Sequence, residues 1–115
     1  MATPQSFEQL IEEHGIWADA TFPKGTAKGA LLHAHREVDE IIKDIDEGND
    51  ELSIATEYAD AMFCIMDSAR RRGLTVNQIV LAGVAKLNKN KARTWNDNGD
   101  GSYSHVKNNQ TDRKS

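Results

Sequence analysis

The sequence predicts an all-α protein organised around a helical hairpin that spans His33 to Asp67. Apolar residues recur at helical spacing on both sides of a polar turn at Gly48-Asn49. The second helix of this hairpin is apolar around well over half of its circumference, which is typical of a helix packed on several sides. The rest of the chain is too short to cover that helix. We therefore predict half of a four-helix bundle that a second subunit completes, in a homodimer or a homotetramer.

Length, charge and cysteine content exclude several classes of protein. A chain of 115 residues suits one domain, which we place at 1–105, followed by a polar tail at 106–115 that we expect to be mobile. The net charge of -4 argues against nucleic-acid and membrane partners. The single cysteine, Cys64, excludes an internal disulfide and suits a reducing compartment. With neither a signal peptide nor an apolar run long enough to span a membrane, the sequence predicts a cytoplasmic protein.

Two helices are expected before the turn. The first begins after Thr3-Pro4 and stops at Gly15. An ordered loop from Ile16 to Gly29 follows, in which Trp17 and Phe22 are better explained as core or partner contacts than as base-stacking groups. The second helix runs from about Ala27 to Glu47 and carries a single apolar stripe.

Two more helices are expected after the turn. The third covers Leu52 to Ala69, and Gly73 is its stop signal. Thr75 and Gln78 form a capping box that begins the fourth helix. The residues of that helix expected to face the core are Val76, Ile79, Val80, Gly83, Val84 and Leu87. Beyond Arg93, the Asn- and Gly-rich cluster at 96–101 predicts a turn.

Two acidic pairs lie on the two helices of the hairpin. Glu37 and Glu40 precede the turn, and Glu57 and Asp60 follow it, each pair spaced i, i+3 on one helix face. In an antiparallel hairpin centred on the turn, Glu37 lies level with Asp60 and Glu40 lies level with Glu57. Four carboxylates at one height repel one another strongly without a cation. All-oxygen sites of this kind hold hard divalent ions such as Mg²⁺.

The alternative is an acidic face that water solvates, because a chain with 18 Asp and Glu residues produces such spacings by chance. Glu57 and Asp60, however, fall on a narrow polar seam of an otherwise apolar helix. An ionised carboxylate is unfavourable there unless it is paired or binds a metal. His33 precedes Glu37 by one helical turn and could orient that carboxylate or a phosphate, with a structural histidine as the alternative.

A basic segment runs from Lys86 to Trp95. Lys86, Asn90 and Arg93 are spaced i, i+4, i+7 and share one helix face, where they could bind phosphate oxygens. Favourable charge at a helix end, without any function, is the alternative. The Arg70-Arg71-Arg72 run is better explained in that second way.

These residues carry a resemblance to a known family. The acidic pairs followed by a K-x-x-x-N segment resemble the all-α NTP pyrophosphatases of the MazG-like superfamily. Thr21-Phe22-Pro23, and the basic segment followed by Asp100-Gly101-Ser102-Tyr103, resemble more narrowly the dATP/dGTP pyrophosphohydrolase domain of phage and bacterial proteins. The resemblance implies Mg²⁺ held by Glu37, Glu40, Glu57 and Asp60, and a substrate bound by Lys86, Asn90, Arg93, His33 and Trp95.

The activity that the resemblance implies is hydrolysis of a nucleoside triphosphate between its α- and β-phosphates, with dGTP preferred to dATP. It implies about two or three Mg²⁺ ions per site, with Mn²⁺ as a substitute. In a bacterial or phage-infected cytoplasm, the product dGMP could feed synthesis of a modified purine nucleotide. A dUTPase or a general house-cleaning pyrophosphatase would share the metal site. A non-catalytic dimeric adaptor would have no metal site, and the sequence leaves these alternatives open.

Overall fold

The computed structural model describes residues 3–4 and 6–107, and this part of the chain contains four α-helices and one two-stranded antiparallel sheet. The elements in chain order are α1 (Phe7–Thr21), α2 (Ala27–Glu47), α3 (Glu51–Arg71), α4 (Val76–Lys91), β1 (Trp95–Asp97) and β2 (Tyr103–His105). The predicted helical class is confirmed, and the small sheet is an addition to it. None of these helices is both long enough and apolar enough to cross a membrane.

The chain divides into two compact units, Met1–Ile79 and Val80–Ser115. The first unit contains α1, α2 and α3, and the second contains most of α4 and the two strands. The domain predicted at 1–105 and the tail predicted at 106–115 stay predictions, because residues 108–115 lie outside the described residues. Within the described part, the amide of Val106 donates to the carbonyl of Thr94 over 2.8 Å and so continues the strand pairing.

Helix α1 is longer than the sequence predicted. Ser6 caps it, with the Oγ atom accepting a hydrogen bond from the Gln9 amide at 3.1 Å. Gly15 was expected to stop the helix, and this was wrong, because the helix continues to Thr21. A Cβ atom at Gly15 would lie 2.7 Å from Arg70 Nε, so the glycine permits a close contact between α1 and the Arg70 side chain. The loop predicted from residue 16 to 29 shrinks to residues 22–26.

The predicted hairpin of α2 and α3 is confirmed, and the bounds of α2 match the prediction. Gly48 ends α2 in the left-handed region, with φ of 71°, which glycine adopts at little cost. Asp50 then caps α3 through a 2.7 Å hydrogen bond from the Leu52 amide. Ile41 of α2 packs with Ile54 and Ala61 of α3 in a small buried cluster.

The predicted start of α4 is confirmed by its capping box. The Gln78 amide donates to Thr75 Oγ1 over 3.1 Å, and the Thr75 amide donates to Gln78 Oε1 over 2.8 Å. None of the residues of α4 is buried in this single chain, although the sequence predicted an apolar stripe that faces a core. Large apolar side chains of the hairpin are also open to solvent, including Val38, Ile42 and Ile45. A single copy of the chain therefore leaves broad apolar faces uncovered.

The turn predicted at 96–101 is the loop of a β-hairpin. Trp95 lies opposite His105, and Asp97 lies opposite Tyr103. Gly99 and Gly101 have φ of 83° and 90°, in a region that side chains other than glycine rarely adopt. Three-residue strands carry almost no periodic signal, which is why the sequence predicted the turn without the strands that flank it.

Candidate active site

Glu57 on α3 faces a group of acidic residues on α2. The Asp44 carboxyl lies close enough to share a proton with Glu57. The pKa of Glu57 is raised to about 7. The largest cause is this hydrogen bond, the second is burial, and the third is repulsion by Asp44, Glu40 and Glu37. When both carboxyls are ionised neither can donate a hydrogen bond, and Glu57 Oε2 is buried without a hydrogen-bond partner. The hairpin therefore gathers negative charge around a carboxylate oxygen for which residues 3–4 and 6–107 provide no hydrogen-bond donor.

Asp44 is the member of this acidic group that sequence reasoning missed. We paired Glu57 with Glu40, but Asp44, one turn nearer to Gly48, acts on Glu57 most strongly. Side chains on a helix lean toward its N-terminus, and the N-terminus of α3 lies at the turn, so Glu57 leans toward Asp44. The signal was present in the sequence, because Glu37, Glu40 and Asp44 share one face at spacings i, i+3, i+7.

His33 and Glu37 form the contact that their spacing predicted. His33 Nε2 lies 3.3 Å from Glu37 Oε1, and the Glu37 side chain is mostly buried. The two side chains therefore meet on one face of α2, one helical turn apart. Asp60 is exposed, and its charge reaches the thiol of Cys64 and the imidazole of His14.

Within residues 3–4 and 6–107, no three His, Cys, Asp or Glu side chains are grouped closely enough to hold a metal ion between them. The set of Glu37, Glu40, Glu57 and Asp60 therefore stays a predicted metal site. The surroundings nevertheless suit a cation. The Glu57 carboxylate has a buried oxygen without a hydrogen-bond partner among the described residues, and its neighbours are further carboxylates, so a bound cation would stabilise it. The ligand atoms of these carboxylates are oxygens, which hard divalent ions prefer.

A cavity of about 290 Å³ adjoins this acidic group in the same unit. We call it the α1–α3 cavity, because its lining comes from α1, α2, α3 and the loop at 22–26. The side chains that line it include His14, Trp17, Phe22, His33, Arg36, Cys64 and Arg71. His33 and Cys64 connect it to the acidic group, because His33 contacts Glu37 and the charges of Glu37 and Asp60 raise the pKa of the Cys64 thiol.

Aromatic rings form one wall of the α1–α3 cavity. His14 stacks on Phe63 with ring centroids 4.4 Å apart, and Trp17 meets Phe22 edge to face at 5.2 Å. Burial lowers the pKa of His14, although Asp67 and Asp60 act to raise it, so the ring is neutral at neutral pH. Trp17 and Phe22 remain about half exposed. The sequence predicted them as core or partner contacts, and the structure places them beside a cavity.

Asp67 of α3 is buried between two arginines. Arg70 and Arg71 donate to its two oxygens at 2.7 and 2.8 Å. Burial alone would raise the pKa of Asp67, but the hydrogen bonds from Arg71 and Arg70 outweigh it and hold the pKa below its ordinary value. Arg70 also binds both oxygens of Asp19 on α1, and Arg71 donates to the Gly25 carbonyl. Helix-end charge was therefore the wrong interpretation for Arg70 and Arg71, which fasten α1 and the following loop to α3.

The basic segment forms a separate cleft of about 420 Å³ in the second unit. The structure brings together there four residues predicted to bind substrate, Lys86, Asn90, Arg93 and Trp95. The Trp95 indole donates to the Asn90 carbonyl at 3.0 Å, and Asn90 Oδ1 is buried without a hydrogen-bond partner. The pKa of Lys86 is lowered, first by loss of hydration and then by the charges of Arg93 and Lys89. The fifth predicted residue, His33, lies in the α1–α3 cavity instead.

The β-hairpin adds side chains to this cleft that sequence reasoning did not assign to a site. Tyr103, Ser104, His105 and Lys107 line it. Trp95 and His105 pair across the strands with ring centroids 5.9 Å apart. Their approach depends on strand pairing, which the spacing of the basic segment did not reveal.

Comparisons with known proteins agree with the resemblance. A family model described as dATP/dGTP pyrophosphohydrolase matches residues 10–113. The fold is similar to that of a MazG-like pyrophosphohydrolase of cyanophage S-2L bound to dGDP and three catalytic Mn²⁺ ions per active site. The two are 25% identical with a TM-score of 0.72, over 90% of this chain and 100% of that chain. No curated protein matches the sequence. The resemblance predicted from the acidic pairs and the basic segment is therefore confirmed.

Proposed function

Because the chain belongs to the dATP/dGTP pyrophosphohydrolase family, we propose that it hydrolyses dGTP, or dATP less readily, to the nucleoside monophosphate and pyrophosphate. The chain is thus a hydrolase that acts on nucleoside triphosphates. The bond cleaved, between the α- and β-phosphates, and the order of the two bases belong to the proposal. A role in supplying dGMP for a modified purine nucleotide in a phage-infected cell belongs to it as well, and the similarity to a cyanophage enzyme supports that role.

The observation that carries the proposal is the state of Glu57. Its Oε2 atom is buried without a partner, and the carboxyls that surround it raise its pKa to about 7. A cation would relieve this repulsion and draw the carboxylates together. We therefore propose that Glu37, Glu40, Glu57 and Asp60 hold Mg²⁺, with Mn²⁺ as a substitute, and that Asp44 assists them. The three Mn²⁺ ions of the cyanophage enzyme support more than one ion per site.

In this proposal, the carboxylates of the first unit bind the divalent ions, and His33 orients one of these carboxylates. Bound divalent ions supply positive charge that neutralises phosphate oxygens and lowers the pKa of the attacking water. His33, 3.3 Å from Glu37, keeps that carboxylate in one orientation, so that less order has to be imposed when the substrate binds. The carboxylates of α2 also repel a triphosphate that arrives without cations, which makes substrate binding depend on the ions.

The basic cleft is proposed to bind the phosphates of the substrate. Lys86 and Arg93 supply charge-assisted hydrogen bonds, and Asn90 supplies the NH2 group of its side-chain amide as a donor. Trp95 is fixed by its hydrogen bond to the Asn90 carbonyl and holds the wall of the cleft in place. This assignment is supported by the clustering of the four residues and by the family resemblance.

A homodimer or a dimer of dimers is proposed as the working assembly. The support is the uncovered apolar surface of a single copy, since α4 buries none of its residues and the hairpin exposes Val38, Ile42 and Ile45. A second hairpin packed on the first would complete a four-helix bundle. Light scattering should give at least twice the 12.8 kDa mass of the chain, and a stable monomer would contradict the proposed assembly.

A panel of the eight common ribo- and deoxyribonucleoside triphosphates tests the activity. We expect pyrophosphate from dGTP and dATP with Mg²⁺ or Mn²⁺, and none in EDTA. Chromatography should detect the monophosphate, because cleavage between the β- and γ-phosphates would give the diphosphate. A strong preference for dUTP would favour a dUTPase, and equal rates throughout would favour a house-cleaning enzyme. If the protein showed neither turnover nor a Mg²⁺-dependent thermal shift, the non-catalytic adaptor would be the favoured function.

A further inference from the structure

Among the described residues, one donor nitrogen of Arg71 has no hydrogen-bond acceptor. Its Nε atom donates to Asp67 at 2.8 Å, and Nη1 donates to the Gly25 carbonyl at 2.9 Å. Nη2 is buried and donates no hydrogen bond, with Asp19 Oδ1 beyond hydrogen-bond distance at 3.9 Å. Buried guanidinium nitrogens in folded proteins almost always have an acceptor. Arg71 and Gly25 both line the α1–α3 cavity, so a ligand in the cavity can supply the missing acceptor.

The shape and chemistry of the cavity fit a flat heterocycle. The rings of Trp17, Phe22 and His14 offer apolar faces and edges, and aromatic rings are the side chains on which nucleobases stack. The Arg71 guanidinium packs against Gly25, where a Cβ atom would lie 2.9 Å from Nη2, so the glycine lets this group lie close to the backbone at the cavity wall. A cavity of about 290 Å³ is near the lower end of the size range of ligand pockets, which suits part of a ligand better than a whole nucleotide.

The cavity also lies beside the proposed catalytic carboxylates. His33 lines it and contacts Glu37 at 3.3 Å. Cys64 lines it as well, and the charges of Glu37 and Asp60 both act on the Cys64 thiol. A nucleotide whose phosphates lie at the carboxylates can therefore place its base in the cavity.

We propose that the α1–α3 cavity holds the purine base of the substrate and that Arg71 Nη2 donates a hydrogen bond to it, so that Arg71 selects guanine over adenine. This inference rests on the proposed function. Guanine presents two adjacent acceptors, O6 and N7, on one edge, whereas adenine presents the N7 acceptor beside the N6 donor. An N–H group aimed at O6 of guanine would face a second donor in adenine. The preference for guanine then follows from a donor that Asp67 and Gly25 hold in place.

Substrate analogues test the inference on the unaltered protein. Deoxyinosine triphosphate keeps O6 and N7 and lacks only the 2-amino group, so its kcat/KM should stay within about threefold of that for dGTP. The 2-aminopurine deoxynucleoside triphosphate lacks O6 and should fall roughly tenfold to a hundredfold, as expected for the loss of one base-specific contact. Equal kcat/KM values for dGTP and the 2-aminopurine nucleotide would overturn the proposal. That result would leave the proposed hydrolase activity intact.

A matched pair of variants assigns the effect to one residue. Arg71→Lys should lower kcat/KM for dGTP by roughly tenfold or more and that for dATP by less than about threefold, which narrows the ratio between them. Arg72→Lys, at the neighbouring exposed position, should leave the ratio unchanged. An equal loss for both nucleotides in Arg71→Lys would indicate a structural role only and would contradict the proposal.

If no triphosphate is hydrolysed, the proposed function fails and the cavity is tested by binding alone. Thermal shifts of the unaltered protein with dGMP and with dAMP, measured in EDTA, then give the answer. A larger stabilisation by dGMP supports the assignment of Arg71, and equal shifts overturn it.

Discussion

Helix α3 carries two partly or fully buried carboxylates, Asp67 and Glu57, whose surroundings shift their pKa values in opposite directions. Asp67 accepts hydrogen bonds from Arg70 and Arg71, which hold its pKa below the ordinary value. Glu57, ten residues earlier and roughly 15 Å along the same helix, has acidic neighbours and a pKa raised to about 7. The chain supplies cations for one of these charges and further anions for the other.

The difference separates a structural charge from one that is free to bind a ligand. The two arginines bound to Asp67 also reach α1 and the loop after it, so that carboxylate helps to hold the first unit together. Asp44 and Glu57 are joined only when they share a proton, and when both are ionised the mutual repulsion of the carboxylates around Glu57 favours unfolding. Strongly shifted pKa values without internal compensation are typical of binding and catalytic sites.

Removing the structural charge should have the largest effect on stability. Asp67→Asn takes from Arg71 the carboxylate that it binds, whereas Arg70 keeps its hydrogen bonds to Asp19. Because the Arg71 charge is then buried without its partner, we expect a loss of about 3 to 5 kcal/mol in the free energy of unfolding. Urea denaturation measures this loss. Asp46→Asn, at an exposed position of α2, should stay within about 0.5 kcal/mol of the parent. A loss below about 1 kcal/mol for Asp67→Asn would mean that the two carboxylates do not differ as described.

Removing the other charge should lower activity and spare stability. Glu57→Gln keeps the shape of the side chain but weakens the proposed hold on Mg²⁺, so pyrophosphate release should fall by at least about a hundredfold. In EDTA the variant should melt at the parental temperature or above it, because repulsion has been reduced. Added Mg²⁺ should stabilise the parent much more than the variant.

Glu51→Gln, in the exposed first turn of α3, is the control for that experiment. It should retain parental turnover and the parental Mg²⁺ shift. A Glu57→Gln protein that retained both would remove Glu57 from the metal site.

The cation at the cleft of the second unit should matter less than Glu57. Lys86→Ala should reduce kcat/KM by roughly tenfold to a hundredfold, as expected for the loss of one charge-assisted hydrogen bond, without loss of helical content. Steady-state kinetics and circular dichroism measure the two quantities. Lys91→Ala, at the exposed end of α4, is the matched control. If kcat/KM of Lys86→Ala stayed within about twofold of the parent value, Lys86 would be a helix-end charge without a role in substrate binding.

The pH dependence of stability in EDTA should show the smallest effect, and it has opposite signs for the two carboxylates. The folded-state pKa of Glu57 is raised from 4.5 to about 7, so the folded protein binds more protons than the unfolded chain between these values. Glu57 therefore makes stability fall as pH rises through that window. Asp67 has a lowered pKa, so its contribution is complete above 3.8 and is lost as pH falls through its folded-state value. Glu57→Gln should flatten the decline between pH 4.5 and 7, and an unchanged decline would assign it to other groups.

The sequence predicted the helices wherever local chemistry decides the structure. Gly48 and the capping box at Thr75 are read from a few adjacent residues, and both predictions are confirmed. Gly15 was predicted wrongly because the deciding contact comes from Arg70, more than fifty residues away along the chain. A glycine in a helix lowers its propensity, but a close tertiary contact can require one there.

The candidate site was predicted only in part for a similar reason. Spacing along one helix is sufficient to find Glu37, Glu40 and their neighbours, whereas the approach of Asp44 to Glu57 depends on which way side chains lean across the hairpin. The α1–α3 cavity was not predicted at all. It needs three helices and a loop to meet, and no periodicity along the chain encodes that meeting.

Cys64 makes the cavity observable in solution. It is the only cysteine of the sequence, it is partly buried, and it lines the cavity. Burial first, and then Glu37, Asp60 and Asp67, raise the pKa of its thiol, so little thiolate exists near neutral pH and maleimide labelling should be slow. A nucleotide base in the cavity should slow labelling further, whereas a nucleotide bound only at the basic cleft should leave the rate unchanged. Mass spectrometry of the labelled fraction over time would therefore report where a nucleotide sits, without any need for turnover.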